Sequence, residues 1–91
     1  MVNAVVLINV ERGKVNEVAE ALADIRAISE VYSVGGRYDL VAIVRAKEND
    51  ELADVVTKQI SGVGGIAQTE TMVAFRAYSR HDLDRMFSVG F

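Results

Sequence analysis

The stretch Val31-Tyr32-Ser33-Val34-Gly35-Gly36-Arg37-Tyr38-Asp39-Leu40-Val41-Ala42-Ile43-Val44 reads as two β-strands that meet at a glycine pair. Val31, Tyr32 and Val34 form the first run. Residues 40–44 are an almost unbroken apolar run, as in a strand covered on both faces. Gly35 and Gly36 reach backbone angles that other residues adopt at a cost, so the pattern predicts a tight hairpin. Tyr38 and Asp39 follow at once. A phenol and a carboxylate beside glycine backbone make either a small polar site at the mouth of a sheet or a turn cap.

Upstream, residues 2–10 (VNAVVLINV) alternate as a strand. Val2, Ala4, Val6, Ile8 and Val10 share one face; Val5 and Leu7, flanked by Asn3 and Asn9, share the other. After Gly13, residues 14–28 take a helical period through Val15, Val18, Ala19, Leu22 and Ile25. Glu17, Glu20, Asp24 and Arg26 fall on the opposite side. A membrane-surface helix would carry a strongly basic polar face, and this one does not. The spacing predicts a helix laid on a sheet.

Downstream, residues 47–51 are a polar turn in which Asn49 or Asp50 suits a helix N-cap. Leu52, Val55, Val56 and Ile60 then make a buried stripe, with Lys58 and Gln59 outward, and Ser61-Gly62-Val63-Gly64-Gly65 ends the helix. Residues 66–78 predict the last long strand. Thr69, Thr71, Val73 and Phe75 lie on one face of it; Gln68, Glu70, Met72, Ala74 and Arg76 lie on the other. In the tail, residues 79–91, Ser79 or His81-Asp82 stands in capping position and Leu83, Met86 and Phe87 suit one side of a short helix.

The order strand, helix, strand, strand, helix, strand is a split βαβ repeat. It predicts an α+β, ferredoxin-like βαββαβ sandwich over residues 1–78, followed by the tail. Both helices then cover one face of a four-stranded antiparallel sheet. The other face would leave Val5, Leu7, Met72, Ala74 and half of residues 40–44 in water. A bare apolar face of more than a few hundred Å² is unusual for a monomer. A second copy is therefore expected to cover it, sheet against sheet, in a two-fold dimer.

Composition narrows the function. Ninety-one residues, half of them apolar, make one globular domain. With no cysteine there is no disulfide framework, thiolate nucleophile or zinc knuckle. Thirteen carboxylates against ten Lys and Arg give a net charge of −3 with no basic run, which argues against a direct nucleic-acid binder. The first ten residues lack the features of a signal peptide or a membrane span, so a cytoplasmic protein is expected.

Two motifs resemble a known family. Val34-Gly35-Gly36-Arg37-Tyr38-Asp39-Leu40 is similar to the V-x-G-x-[YW]-D-[LYF] hairpin of the Lrp/AsnC ligand-binding (RAM-type) domain. Gly65-Ile66-Ala67-Gln68-Thr69-Glu70-Thr71 is similar to the G-[VI]-x-x-T-x-T entry to that domain's last strand. The likeness covers residues 2–78. It implies a dimeric αβ-sandwich assembled further into octamers or decamers, and small-molecule sensing, commonly of amino acids, at contacts between dimers. Family regulators carry a helix-turn-helix domain before this one; here the chain starts at the first strand, so a stand-alone ligand-binding domain is expected. Ser79-Arg80-His81-Asp82-Leu83 resembles the tail of such stand-alone members. Gly35 departs from the polar residue usual before the motif glycine, and Arg37 from the acidic or polar residue usual after it.

Carried over residue by residue, Gly36, Tyr38, Asp39 and Leu40 would form one wall of a ligand pocket. Thr69 and Thr71, from either subunit, would form another. Asp39 would accept from an ammonium group, and Gly36 amides or threonine hydroxyls would hold a carboxylate. The plainer alternative makes Asp39 a turn cap, Tyr38 an interface residue and the threonines strand formers. Gly62-x-Gly64-Gly65 lacks a following Lys-Ser/Thr and leads into a strand, so it is not a phosphate loop. His81 has no catalytic partner, no metal ligands converge, and the acidic residues Glu48, Asp50, Glu51 and Asp54 read as a solvated face. No cofactor, metal or catalytic residue is expected. Three functions compete: an oligomeric effector sensor, a small dimeric ferredoxin-like enzyme, and an assembly partner of full-length Lrp/AsnC regulators.

Overall fold

The computed structural model describes residues 1–78 and residue 80. The short helix expected in the tail, with Leu83, Met86 and Phe87, lies outside the described residues, as does His81. The elements are β1 (Val2–Val10), α1 (Val15–Ala23), β2 (Ile28–Ser33), β3 (Leu40–Ala46), α2 (Asn49–Asp54) continued by a π-helix (Val55–Ile60), and β4 (Ile66–Val73). The strands form one antiparallel sheet in the order β2-β3-β1-β4. This is the expected ferredoxin-like arrangement.

The alternation of β1 sets the core. Ala4, Val6 and Ile8 pair with Val44, Ala42 and Leu40 of β3. All six are at most 1% exposed and form one cluster with Val18 and Leu22 of α1 and with Leu52, Val55 and Ile60. Both helices therefore lie on one face of the sheet. Val5 and Leu7 pair with Ile43 and Val41 on the other face, which no element among the described residues covers.

Several boundaries depart from the sequence expectation, each for a tertiary reason. The helix expected to residue 28 stops at Ala23, because tight turns follow (Ile25 N–H to Leu22 O, 3.0 Å) and Ile28 opens β2 opposite Val44. The step from Leu22 to Ile25 to Ile28 suits a helix, yet pairing with β3 claims the last of these. Neither Asn49 nor Asp50 caps α2. Glu48 holds the N-cap position without a side-chain bond, and Glu51 reaches back to accept from Lys47 N–H at 3.0 Å.

The second helix widens into a π-helix where an ordinary helix was expected. Its buried residues, Leu52, Val55 and Ile60, step by three and then by five. The wider turn keeps Ile60 in line with Val55. Ser61 Oγ donates to Val56 O, five residues back, at 3.1 Å.

The last strand ends at Val73, five residues short of the expected end. β1 begins at Val2, so β4 runs out of partner; Ala74 N–H donates to Asn3 O at 2.9 Å and Phe75 is fully exposed. A bulge between Asn9 and Val10 shifts the β1–β4 register, which lets Ile66 pack against the core opposite Val10.

Candidate functional site

The glycine motif forms a six-residue loop, residues 34–39, between β2 and β3, not the tight hairpin expected. Only Gly36 of the pair takes a left-handed backbone, with φ at +115°. Val34 N–H donates to Asp39 O at 3.0 Å and closes the loop.

Asp39 ties this loop to the end of β1 twice. Its N–H donates to Ile8 O at 2.9 Å, and its Oδ2 accepts from Val10 N–H at 2.9 Å. Regular β3 pairing ends at Ile8↔Leu40, so the carboxylate satisfies an amide that the strand no longer reaches. The side chain is part-buried, and among the described residues only Oδ2 is engaged. Asp39 is thus a cap with one carboxylate oxygen left over.

Tyr38 reaches the other way. Its hydroxyl donates to Glu70 Oε1 at 3.2 Å. Glu70 lies on β4 opposite Leu7, so the phenol bridges across β1 on the uncovered face. Partial burial raises the Tyr38 phenol above its ordinary value; the Glu70 charge and hydrogen bond add to this, and Arg37 opposes it. Glu70 was not among the sequence-derived candidates. The signal was available: in Thr69-Glu70-Thr71 the middle residue points to the face opposite the threonines.

The other candidates are not brought into this corner. Leu40 is wholly buried opposite Ile8, so its side chain packs in the core beneath the loop. Thr69 and Thr71 oppose Ile8 and Val6, on the helix side of β4. Within one protomer they are separated from Tyr38 and Asp39 by β1, two strand spacings or about 10 Å away. Of the two walls expected from the motifs, with the threonines from either subunit, one protomer does not bring both together.

The residues expected at a dimer interface do share one face. Val5 pairs with Met72 and Ile43, and Leu7 with Val41. Met72 is 48% exposed, and Ala74 continues this row opposite Asn3. The result is an apolar band with Asn3, Asn9, Gln68 and Glu70 along its edge. Among the described residues no cluster of His, Cys, Asp or Glu could hold a metal ion, and no helix is long and apolar enough to cross a membrane.

Comparison with known proteins matches residues 3–83 to the model of the Lrp/AsnC ligand binding domain. The HTH-type transcriptional regulator FL11 of Pyrococcus horikoshii is 36% identical over 75 residues, which is 82% of this chain and 49% of that protein. The chain spans about half the length, or less, of the curated relatives it matches. A crystal structure of a protein from Thermus thermophilus is 50% identical, covers 88% of this chain and all of its own, and superposes with a TM-score of 0.83. The crystal structure of FFRP-DM1 is 35% identical over 82% of this chain and 100% of its own, with a TM-score of 0.79. A transcriptional regulator from Neisseria meningitidis, solved as a complex with L-Met, shares the fold at 9% identity and a TM-score of 0.77, over 87% of this chain and 53% of its own.

Proposed function

This chain belongs to the Lrp/AsnC ligand binding domain family, and from that premise we propose that it senses an amino acid or a related small molecule through an assembly of its own subunits. The family is regulatory, not enzymatic, and the matched relatives are named transcriptional regulators. The observation that carries the reading is Asp39: it holds the loop to β1 through Oδ2 and leaves its other oxygen at a half-buried loop mouth. An ammonium group suits that oxygen, and the Gly36 amide of the same loop suits a carboxylate.

Thr69 and Thr71 lie beyond β1 from Asp39. A site that joins them to Gly36, Tyr38 and Asp39 therefore draws the threonines from a neighbouring subunit. The apolar band of Val5, Leu7, Val41, Ile43 and Met72 supports a dimer formed sheet to sheet, with octamers or decamers built from it. The L-Met complex of the Neisseria meningitidis regulator makes methionine the first ligand to try. The reading places the protein in the cytoplasm. A second reading is mixed assembly with full-length regulators that carry the same domain, favoured by the 36% identity with FL11 across that domain.

The test is thermal unfolding against each amino acid, with the mass of the assembly measured alongside. A ligand that binds only the folded form stabilises it by about 2.7 kcal/mol at a hundred times its dissociation constant. The expected result is a shift for one or a few amino acids, lost in Asp39→Asn while the assembly keeps its mass. No shift with any amino acid, in an intact assembly, overturns the amino-acid reading and moves mixed assembly to first place.

A further inference from the structure

The open face of the sheet carries a pattern of charge as well as an apolar band, and the strand register lays it out in rows. Asn3, Arg45 and Ala74 share one row, Val5, Ile43 and Met72 the next, and Leu7, Val41 and Glu70 the third. Arg45 stands between Val44 and Ala46, both wholly buried beneath the helices. Its side chain therefore takes the open face, where Nη1 donates to Asn3 Oδ1 at 3.5 Å. Glu70 lies at the diagonally opposite corner, on the edge strand β4.

These two charges do not meet within one protomer. They stand two strands and two rows apart, with about 17 Å between their backbones. Each has a neutral hydrogen-bond partner instead: Asn3 for Arg45, and for Glu70 the Tyr38 hydroxyl at 3.2 Å. Among the described residues the ion pairs are Lys14–Glu17 and Lys58–Asp54, and neither involves Arg45 or Glu70. Midway along the diagonal between them stands Val5, at the centre of the apolar band.

We propose that a second copy seated on this face sets its Glu70 against Arg45 and its Arg45 against Glu70, so that two ion pairs flank the apolar band and fix how the sheets cross. The inference rests on the proposed sheet-to-sheet dimer. A two-fold axis that lies between the sheets, passes over Val5 and runs perpendicular to the diagonal exchanges the two corners. Both charges then meet their complements at once. For flat sheets this setting crosses the strands at about 70°, nearer the orthogonal class than the aligned one. The apolar band alone would let the sheets slide or turn on each other. Charges at two corners penalise other settings, because an unpaired charge then faces the contact. Glu30, another carboxylate on this face, lies off the diagonal on the edge strand β2, opposite Ile43, and the Tyr32 hydroxyl donates to it.

Sedimentation equilibrium of the intact protein across a range of concentrations tests this, with circular dichroism as the check on folding. Arg45→Glu and Glu70→Arg, each at an exposed position, set like charges against each other and should each weaken dimer formation about tenfold or more. The double variant rebuilds the pairs in reverse and should return to within about threefold of the parent. Glu30→Gln should leave association unchanged. A double variant no tighter than the weaker single one, or a loss in Glu30→Gln as large as in Glu70→Arg, overturns the ion pairs and leaves the sheet dimer standing. A parent protein that stays monomeric at every concentration overturns both. The amino-acid response at Asp39 is read separately, so the ligand site and the ion pairs can fail alone.

Discussion

The two faces of the sheet come from the same strands and the same alternation, yet they end in different environments. On one, Ala4, Val6, Ile8, Leu40, Ala42, Val44 and Ala46 are at most 1% exposed beneath the helices. On the other, Val5, Leu7, Val41 and Ile43 remain half-buried and Met72 is 48% exposed. The helices close the first face, and among the described residues no element covers the second. Apolar residues on both sides of a two-layer fold thus divide a face that folding buries within the protomer from a face that the proposed dimer would bury between protomers.

The sharpest way to break this comparison is to cut into each face. Leu22→Ala removes a wholly buried side chain from the covered face and should cost about 2–5 kcal/mol in equilibrium denaturation. Leu7→Ala, measured at dilution where subunits are separate, should cost clearly less; an equal loss would mean that the open face also stabilises the protomer. Leu7→Glu places a charge in the proposed dimer contact, once from each subunit. It should weaken association at least 100-fold, about 2.7 kcal/mol, by analytical ultracentrifugation, with the circular dichroism of the protomer unchanged.

Smaller effects sharpen the picture. At Gly65, φ is +95° and an added Cβ would sit 3.0 Å from Val18 Cγ2 and 3.2 Å from Lys14 Cβ, where β4 begins beneath α1. Gly65→Ala should cost about 1–3 kcal/mol by thermal or chemical unfolding. Gly35→Ala, with open space and no positive φ, should stay within about 0.5 kcal/mol of the parent. Asp39→Ala leaves the Val10 amide without its acceptor and should cost about 1–2 kcal/mol, most of it recovered in Asp39→Asn.

The smallest effect is the pH dependence of the Tyr38–Glu70 bridge. The raised phenol means that folding favours the protonated form. Its contribution is therefore full below the unfolded value near pH ~10 and is lost as pH rises through the higher folded value. Tyr38→Phe should remove that part of the alkaline loss, read by unfolding at several pH values, and delete one phenol from the ultraviolet titration. Tyr32 is also raised, chiefly by its hydrogen bond to Glu30, so the remaining alkaline dependence should persist in this variant.

The element order was legible in the sequence because period is a local property. Alternation in residues 2–10, the three-and-four steps from Val15 to Leu22 and the glycines at 13 and 65 each need only neighbours in the chain to be read. The candidate site was legible only in part. Tyr38 and Asp39 stand where the motif put them, but their partners are Glu70, 32 residues away, and the Val10 amide, 29 residues away. Nothing local names such partners. Leu40 was carried over from the family motif as part of one wall; its side chain, one step along the strand from Asp39, lies in the core.

The sequence by itself determined the fold class, the membership of each face and the place of the turn between β2 and β3, since hydrophobic period and glycine position are written along the chain. The tertiary structure decided where α1 yields to β2, where β4 stops, and why the second helix widens to bring Ile60 beside Val55. It also decided that the threonines and the Asp39 loop fall on different sides of β1. The physical reason is shared: these outcomes depend on which strand stands beside which and in what register, and register is a relation between distant segments that no local period contains.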